Sequence, residues 1–259
     1  MHPILFELEL FGVHLTAHTY GLLLALGLLA GVGYLVLRRD SRRDMAPLLH
    51  EVAIVIGLGG FVLAYVTRSL IYAGDATSAV GTHFFGWVLG SAALLALYLR
   101  VRRLNGPLFF DYLAPTVLLG SAMGRLGCFF AGCCHGFACE APLGVYFPVH
   151  DASYFPAQLW SAGLDLTSFC VLEFWLRKRA RFQGQIVIWA AWLYCAVRFP
   201  IEFVRVEPKL ALGLTPAQLI SLGLFAGSLV LLRLLRHRPS RPFRIDPSAV
   251  GVSSAPGGC

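Results

Sequence analysis

Apolar runs of roughly eighteen or more residues recur along this chain, and short clusters of arginine separate them. A strand or helix in a water-soluble core does not need runs of that length, whereas about 20 consecutive apolar residues cross the hydrocarbon layer of a bilayer. The composition agrees. The chain of 259 residues is 57% hydrophobic and only 14% charged, against about a quarter charged in soluble domains. A net charge of +7 raises the question of nucleic acid. The clustering of that charge between apolar runs excludes it, because this is how membrane loops are built.

Seven spans are predicted, at about residues 16–37, 50–73, 84–101, 109–131, 157–176, 184–204 and 213–235. The fold class is an all-α polytopic membrane protein. The first ten residues carry Glu7 and Glu9 and no Lys or Arg, and the apolar stretch Thr16 to Leu37 is too long for a signal-peptide core, so it reads as a retained first span. Arg38, Arg39, Arg42 and Arg43 follow span one. Arg100, Arg102 and Arg103 follow span three, and Arg177, Lys178, Arg179 and Arg181 follow span five. Arg233, Arg236, Arg238, Arg241 and Arg244 close span seven. Sixteen of the 21 basic residues thus fall on one side. The positive-inside rule then places the N-terminus in the periplasm and the C-terminus in the cytoplasm of a multi-pass protein. Residues 1–239 read as a single transmembrane domain with an outer-side loop at 132–156. The Pro-, Ser- and Gly-rich residues 240–259 read as a disordered cytoplasmic tail. Gly27 and Gly31 in span one, and Gly57, Gly59 and Gly60 in span two, have the spacing of close helix contacts.

This topology gathers a set of polar residues at the outer side. "GRLGCFFAGCCHG", residues 124–136, ends span four and holds Gly124, Arg125, Gly127 and Gly136. His18 and Tyr20 open span one, Gln158 opens span five and Gln218 opens span seven. Tyr194, Arg198, Glu202 and Arg205 in "YCAVRFPIEFVR" are spaced 4, 4 and 3 apart, which puts all four on one helix face. Ionisable residues at membrane depth cost kilocalories and face a partner or a wet cavity. An Arg198–Glu202 pair satisfies two of them, but Arg125 lies on another helix. Arginines converging from two helices suit a phosphate, and on a membrane's outer side a phospholipid head group. The four glycines Gly124, Gly127, Gly132 and Gly136 leave room for a lipid phosphate to approach the backbone.

Here the sequence resembles a known family, the bacterial prolipoprotein diacylglyceryl transferases, from "HPILFELELFGVHLTAHTYG" to "LTPAQLISLGL". "GSAMGRLGCFFAGCCHG" is similar to the family signature, a Gly-Arg-x-Gly turn, a short apolar step and a terminal glycine. "YCAVRFPIEFVR" resembles the family pattern Tyr-x-x-x-Arg-x-x-x-Glu-x-x-Arg at every position, and Tyr20–Gly21 fits as well. The resemblance implies an inner-membrane enzyme that moves the diacylglyceryl group of phosphatidylglycerol onto the lipobox cysteine thiol of a preprolipoprotein, with glycerol phosphate leaving. It implies that Arg125 and Arg198 hold the phosphate, that Glu202 orients Arg198, and that Tyr20 and Tyr194 bind the head group. His18, Arg205, Gln158, Gln218 and the glycines 124, 127 and 136 would line the substrate site. No metal or soluble cofactor is implied.

Two stretches depart from the familiar pattern. Where the family carries a histidine followed by two glycines, "GTHFFGWVLG" places Phe85 at the histidine and Trp87 at the second glycine. His83 is two residues away, about 200° around a helix. It serves as the base if it lies on an extended segment ahead of the helix. His18, His135 or an unassisted thiol are the alternatives. Cys128 and Cys133 stand where the family form has asparagine and glutamate. With Cys134 and Cys139 they make C-x4-C-C-x4-C around His135. That spacing is poor for the paired knuckles of a structural zinc site. A disulfide from Cys133 or Cys134 to Cys139 suits an oxidising compartment, and the remaining reading is small residues in tight turns. Two further functions fit these departures: a lipid-binding paralogue with no transferase activity or an altered substrate, and a membrane redox or metal protein built on the cysteines.

Overall fold

The computed structural model describes residues 4–10, 13–37, 49–71, 80–206, 209 and 213–237. The arginines at 38, 39, 42, 43, 238, 241 and 244, the tail 240–259 and Cys259 lie outside the described residues. Seven α-helices follow one another: α1 (Thr19–Leu37), α2 (Leu49–Ile71), α3 (Val80–Val101), α4 (Gly106–Ala131), α5 (Ala157–Cys170), α6 (Gln185–Ile201) and α7 (Pro216–Arg236). A π-helical turn (Val171–Leu176) and a 3-10 turn (Arg177–Arg179) prolong α5. Among the described residues, α1, α4, α5 with its extension and α7 are long and apolar enough to cross a membrane, and α2, α3 and α6 contain shorter apolar stretches.

The all-α expectation needs correction, because the chain also forms two antiparallel hairpins: β1 (Ile4–Leu10) with β2 (Val13–His18), and β3 (Val145–Phe147) with β4 (Ala152–Tyr154). The first span therefore begins at Thr19, not at residue 16. Residues 7–10 and 13–18 alternate polar and apolar with period two, the signature of a half-buried strand. The register places Glu7 opposite Thr16, Leu8 opposite Leu15 and Glu9 opposite His14.

The helices fall into two compact units. One is α2 with α3. A Cβ on Gly59 would lie 2.7 Å from the Gly90 carbonyl oxygen, so the absence of side chains at both positions lets the two backbones touch. Ser91 Oγ donates to the Ile56 carbonyl at 2.8 Å. At the other end, Tyr98 donates to Glu51, and Arg102 pairs with the same carboxylate at 3.3 Å.

The second unit holds α1, α4 to α7 and both hairpins. Gly27 packs against Met123 and Gly31 against Thr116, so this glycine pair of α1 faces α4. Ala114, Leu118, Leu172, Ile186 and Ala190 form a buried cluster from α4, the π turn and α6. Asp111, 2% exposed, accepts from Gly184 N–H at 2.7 Å and Val187 N–H at 2.8 Å. It thereby caps the first turn of α6 from α4, satisfying donors that have no intrahelical partner. The arm at 132–156 is ordered around β3 and β4, with Phe147 fully buried. Tyr146 donates to Asp151 at 2.5 Å across the hairpin, and that bond together with the Asp151 charge holds the Tyr146 phenol above its ordinary value. Short backbone bridges tie the arm to the end of α6: Gly136 pairs with Arg205, and Phe137 N–H donates to the Val204 carbonyl at 3.0 Å.

Candidate functional site

The i, i+4, i+7 spacing on α6 and the turn after it becomes an ion-pair chain. Arg198 Nη2 meets Glu202 Oε1 at 2.7 Å, and Arg205 Nη1 meets the same oxygen from the other side. Glu202 Oε2 accepts from Thr215 Oγ1 at 3.0 Å. All three ionic side chains are at most 7% exposed. Both oxygens of Glu202 are engaged, so the carboxylate acts as a brace: it sets two guanidiniums and fastens them to the residue that caps α7.

Arg125 extends from α4 into the same region. It lies within electrostatic reach of Arg198 and Tyr194 on α6, of Asp165 on α5 and of Tyr20 on α1. Two guanidiniums from different helices thus stand close enough to repel. Three arginines face two carboxylates, Glu202 and Asp165, and the surplus of positive charge favours an anion between them.

Asp165 was not among the residues singled out from the sequence. It is 2% exposed, and Oδ2 accepts from Ser121 Oγ at 2.7 Å while Oδ1 is buried without a hydrogen-bond partner. The signal was available in "SAGLDLTSF", a carboxylate inside the apolar run of span five, a position that calls for a partner or a wet cavity.

The structure gives several sequence-predicted residues a packing role. Gly127 is filled by Tyr20: a Cβ there would lie 2.9 Å from the tyrosine ring. Gly136 is closed by the Val204 carbonyl oxygen and the Phe155 side chain, so its missing side chain serves the bridge to Arg205 and leaves no room for a phosphate. Gly124 has Leu24 at 3.8 Å, and Gly132 takes a left-handed turn at φ 74. Gln218 belongs to a capping box: its side chain accepts from Thr215 N–H at 3.0 Å and donates to the Phe199 carbonyl at 3.4 Å. Gln158 donates to the Cys133 carbonyl at 2.7 Å, holding the turn after α4.

Of the three histidines, His135 donates from Nδ1 to the Gly136 carbonyl at 3.0 Å, and its ring lies over Tyr154 with 3.9 Å between centroids. His18 closes β2 and His83 sits in the first turn of α3; their side chains lie outside the described residues. Because α3 begins at Val80, His83 is helical and does not lie on an extended segment ahead of the helix.

Cys128, Cys133 and Cys134 bring their sulfurs within 4.8 Å of one another, although their spacing is poor for paired metal-binding knuckles. The six cysteines among the described residues are free thiols. Hydrogen bonds from Cys128 and Cys133, with the Arg205 and Arg125 guanidiniums nearby, hold the Cys134 thiol below its ordinary value.

Comparison with known proteins accords with this geometry. A family model described as prolipoprotein diacylglyceryl transferase matches residues 3–234. The chain is 31% identical over 237 residues to the phosphatidylglycerol–prolipoprotein diacylglyceryl transferase of Clostridium tetani, covering 86% of this chain and 93% of that protein. It is 32% identical over 221 residues to the protein of the same name from Dehalococcoides mccartyi, covering 80% and 85%. With that of Geobacter sulfurreducens it shares 30% identity over 261 residues, covering 93% and 97%. The chain belongs to the prolipoprotein diacylglyceryl transferase family.

Proposed function

We propose that this protein transfers the diacylglyceryl group of phosphatidylglycerol to the lipobox cysteine thiol of preprolipoproteins, forming a thioether and releasing glycerol phosphate. The observation that carries this reading is the convergence of Arg125 with the braced Arg198, in a chain that matches the family over nearly its whole length. Thiolate attack on a glycerol carbon breaks a carbon–oxygen bond, and negative charge builds on the departing phosphate. Guanidiniums fixed before the reaction stabilise that charge without having to reorganise. Glu202 positions Arg198 and Arg205, Tyr194 and Tyr20 contact the head group, and His18, Gln158, Gly124 and Gly127 shape the pocket around it. His18 or His135, in preference to the helical His83, takes the thiol proton, the chemistry asking for a base that titrates near neutrality. The acyl chains stay in the bilayer. Seven crossings, a periplasmic N-terminus and a cytoplasmic C-terminus in the inner membrane complete the proposal, with the site facing outward where lipid and secreted substrate meet.

Complementation of a bacterium depleted of its own transferase tests the reading. The wild-type chain restores growth and the mass increase of a reporter lipoprotein. A membrane-inserted chain that restores neither, and shows no transfer from phosphatidylglycerol to a lipobox peptide in detergent, refutes it. His83→Ala, His18→Ala and His135→Ala in the same assay locate the base. Loss confined to His18→Ala or to His135→Ala, with recovery at higher pH, is the expected pattern.

A further inference from the structure

The turn after α4 is built in an unusual way. Cys128 lies within the last turn of the helix, and Gly132 at φ 74 and Cys134 at φ 65 both take left-handed backbone. Cysteine does not adopt that conformation without cost, so the surrounding structure must hold it there. The holding contacts are on hand: Cys133 N–H donates to the Cys128 carbonyl at 3.1 Å, and the Cys133 carbonyl accepts from Gln158 on α5 at 2.7 Å. The outcome is three partly buried thiols, each within 4.8 Å of the other two.

We propose that Cys128, Cys133 and Cys134 form a trigonal thiolate site for a soft monovalent d10 metal ion, Cu(I). Thiolates select soft ions. Zinc in a structural site takes four protein ligands, whereas among the described residues no histidine, carboxylate or further cysteine joins these three. Sulfurs bound about 2.3 Å from a shared ion in a plane stand about 4 Å apart, so the thiols close on an ion by small side-chain rotations. Binding releases the thiol protons to solvent and changes no oxidation state. Three thiolates around one monovalent cation leave a negative cluster, and Arg125 and Arg205 lie within electrostatic reach of Cys134 to balance it. The site goes beyond the transfer reaction. An ion there clamps the junction between α4 and the β3–β4 arm, three residues past Arg125.

The full-length protein in detergent, reduced, stripped of metal and kept anaerobic, is titrated with Cu(I) supplied as its acetonitrile complex in competition with bicinchoninate. The expected result is one equivalent withdrawn per chain, with an X-ray absorption edge and shell of three sulfurs. Cys128→Ser, Cys133→Ser and Cys134→Ser each weaken retention by at least about tenfold, and Cys170→Ser does not. Thermal melts of the copper-free variants that match the parent separate lost ligation from lost folding; should a variant not fold, alkylation of the wild-type thiols with and without Cu(I) gives the same answer through protection of these three. No withdrawal of copper, uptake that survives Cys133→Ser with Cys134→Ser, or alkylation unchanged by copper overturns the proposal. So does a disulfide joining two of the three in protein handled without reductant, if the reduced form then takes up no Cu(I).

Discussion

At the scale of single residues, Glu202 explains why two arginines can stay charged where water is scarce. Its carboxylate takes Arg198 and Arg205 on one oxygen and Thr215 on the other. Removing one partner from a buried pair leaves the other charge uncompensated, which costs about 3–5 kcal/mol. Glu202→Gln keeps the shape and removes the charge, and it should lower the midpoint of thermal unfolding in detergent and also abolish transfer. Arg125→Ala, which leaves the Glu202 pairs in place, should separate the two effects. On the proposed reading Arg125 and Arg198 each donate to the leaving phosphate, and loss of one preorganised donor lowers turnover about 10²–10³-fold. The drop should appear in kcat, measured with a lipobox peptide and phosphatidylglycerol vesicles. A change confined to KM would mean that the arginines hold the ground-state lipid and not the departing phosphate.

Much of this was legible residue by residue. The 4, 4, 3 spacing of Tyr194, Arg198, Glu202 and Arg205 already placed them on one face. Asp165 was equally visible as a charge inside an apolar run, yet its company with Ser121 and Arg125 depends on how α4 and α5 pack, which no local pattern encodes. The glycines were legible as close approaches but not as to what approaches them: Tyr20 covers Gly127, and Val204 with Phe155 covers Gly136. Sequence spacing likewise hid the thiol cluster, because it depends on two left-handed residues, one of them Cys134.

At the scale of elements, the helices form where apolar runs require backbone groups to be satisfied internally, and specific contacts fix how they pack. Asp111 replaces a local N-cap: Gly184 precedes α6 and offers no side-chain cap, so the carboxylate comes from α4, seventy-odd residues earlier. Asp111→Ala should cost about 1–2 kcal/mol, in the range of a lost cap. Hydrogen exchange should localise the loosening to the first turn of α6, with the Arg198 end of the helix less affected. The α2–α3 pair depends instead on the contact of Gly59 with Gly90. Gly59→Val places atoms where a neighbouring backbone oxygen already sits and should destabilise the pair by about 1–3 kcal/mol. Proteolysis in detergent should then cut between α2 and α3 sooner than in the parent. Neither hairpin follows from the apolar runs that define the helices, but the period-two alternation of residues 7–10 and 13–18 carries the information for β1 and β2.

At the scale of the whole molecule, the distribution of arginine makes a claim that goes beyond any single helix. Arg100, Arg102 and Arg103 follow α3, Arg177 and Arg179 end the extension of α5, and Arg233 and Arg236 end α7. Alternate connections carry the basic clusters, whereas Arg125 lies within α4, Arg198 within α6 and Arg205 just after it, where the ion-pair chain and the proposed phosphate site account for them. The cost of moving a cluster of arginines across the bilayer fixes which side each connection takes. Alkaline phosphatase, active only outside, and green fluorescent protein, fluorescent only inside, should therefore give opposite signals at successive junctions. A fusion within the 132–156 arm should read as outside, and fusions after Arg103, after Arg181 and after Arg236 as inside. Should the arm read as inside, Arg125 and Arg198 would face the cytoplasm. They would then have no access to a secreted substrate still in the outer leaflet, and the transfer reaction would have to be abandoned along with the topology. Moving charge rather than a reporter gives the independent check. Replacing Arg100, Arg102 and Arg103 with glutamine while adding three lysines to the arm weakens the bias at two connections together. Mixed orientation and loss of complementation should then appear in the same strain.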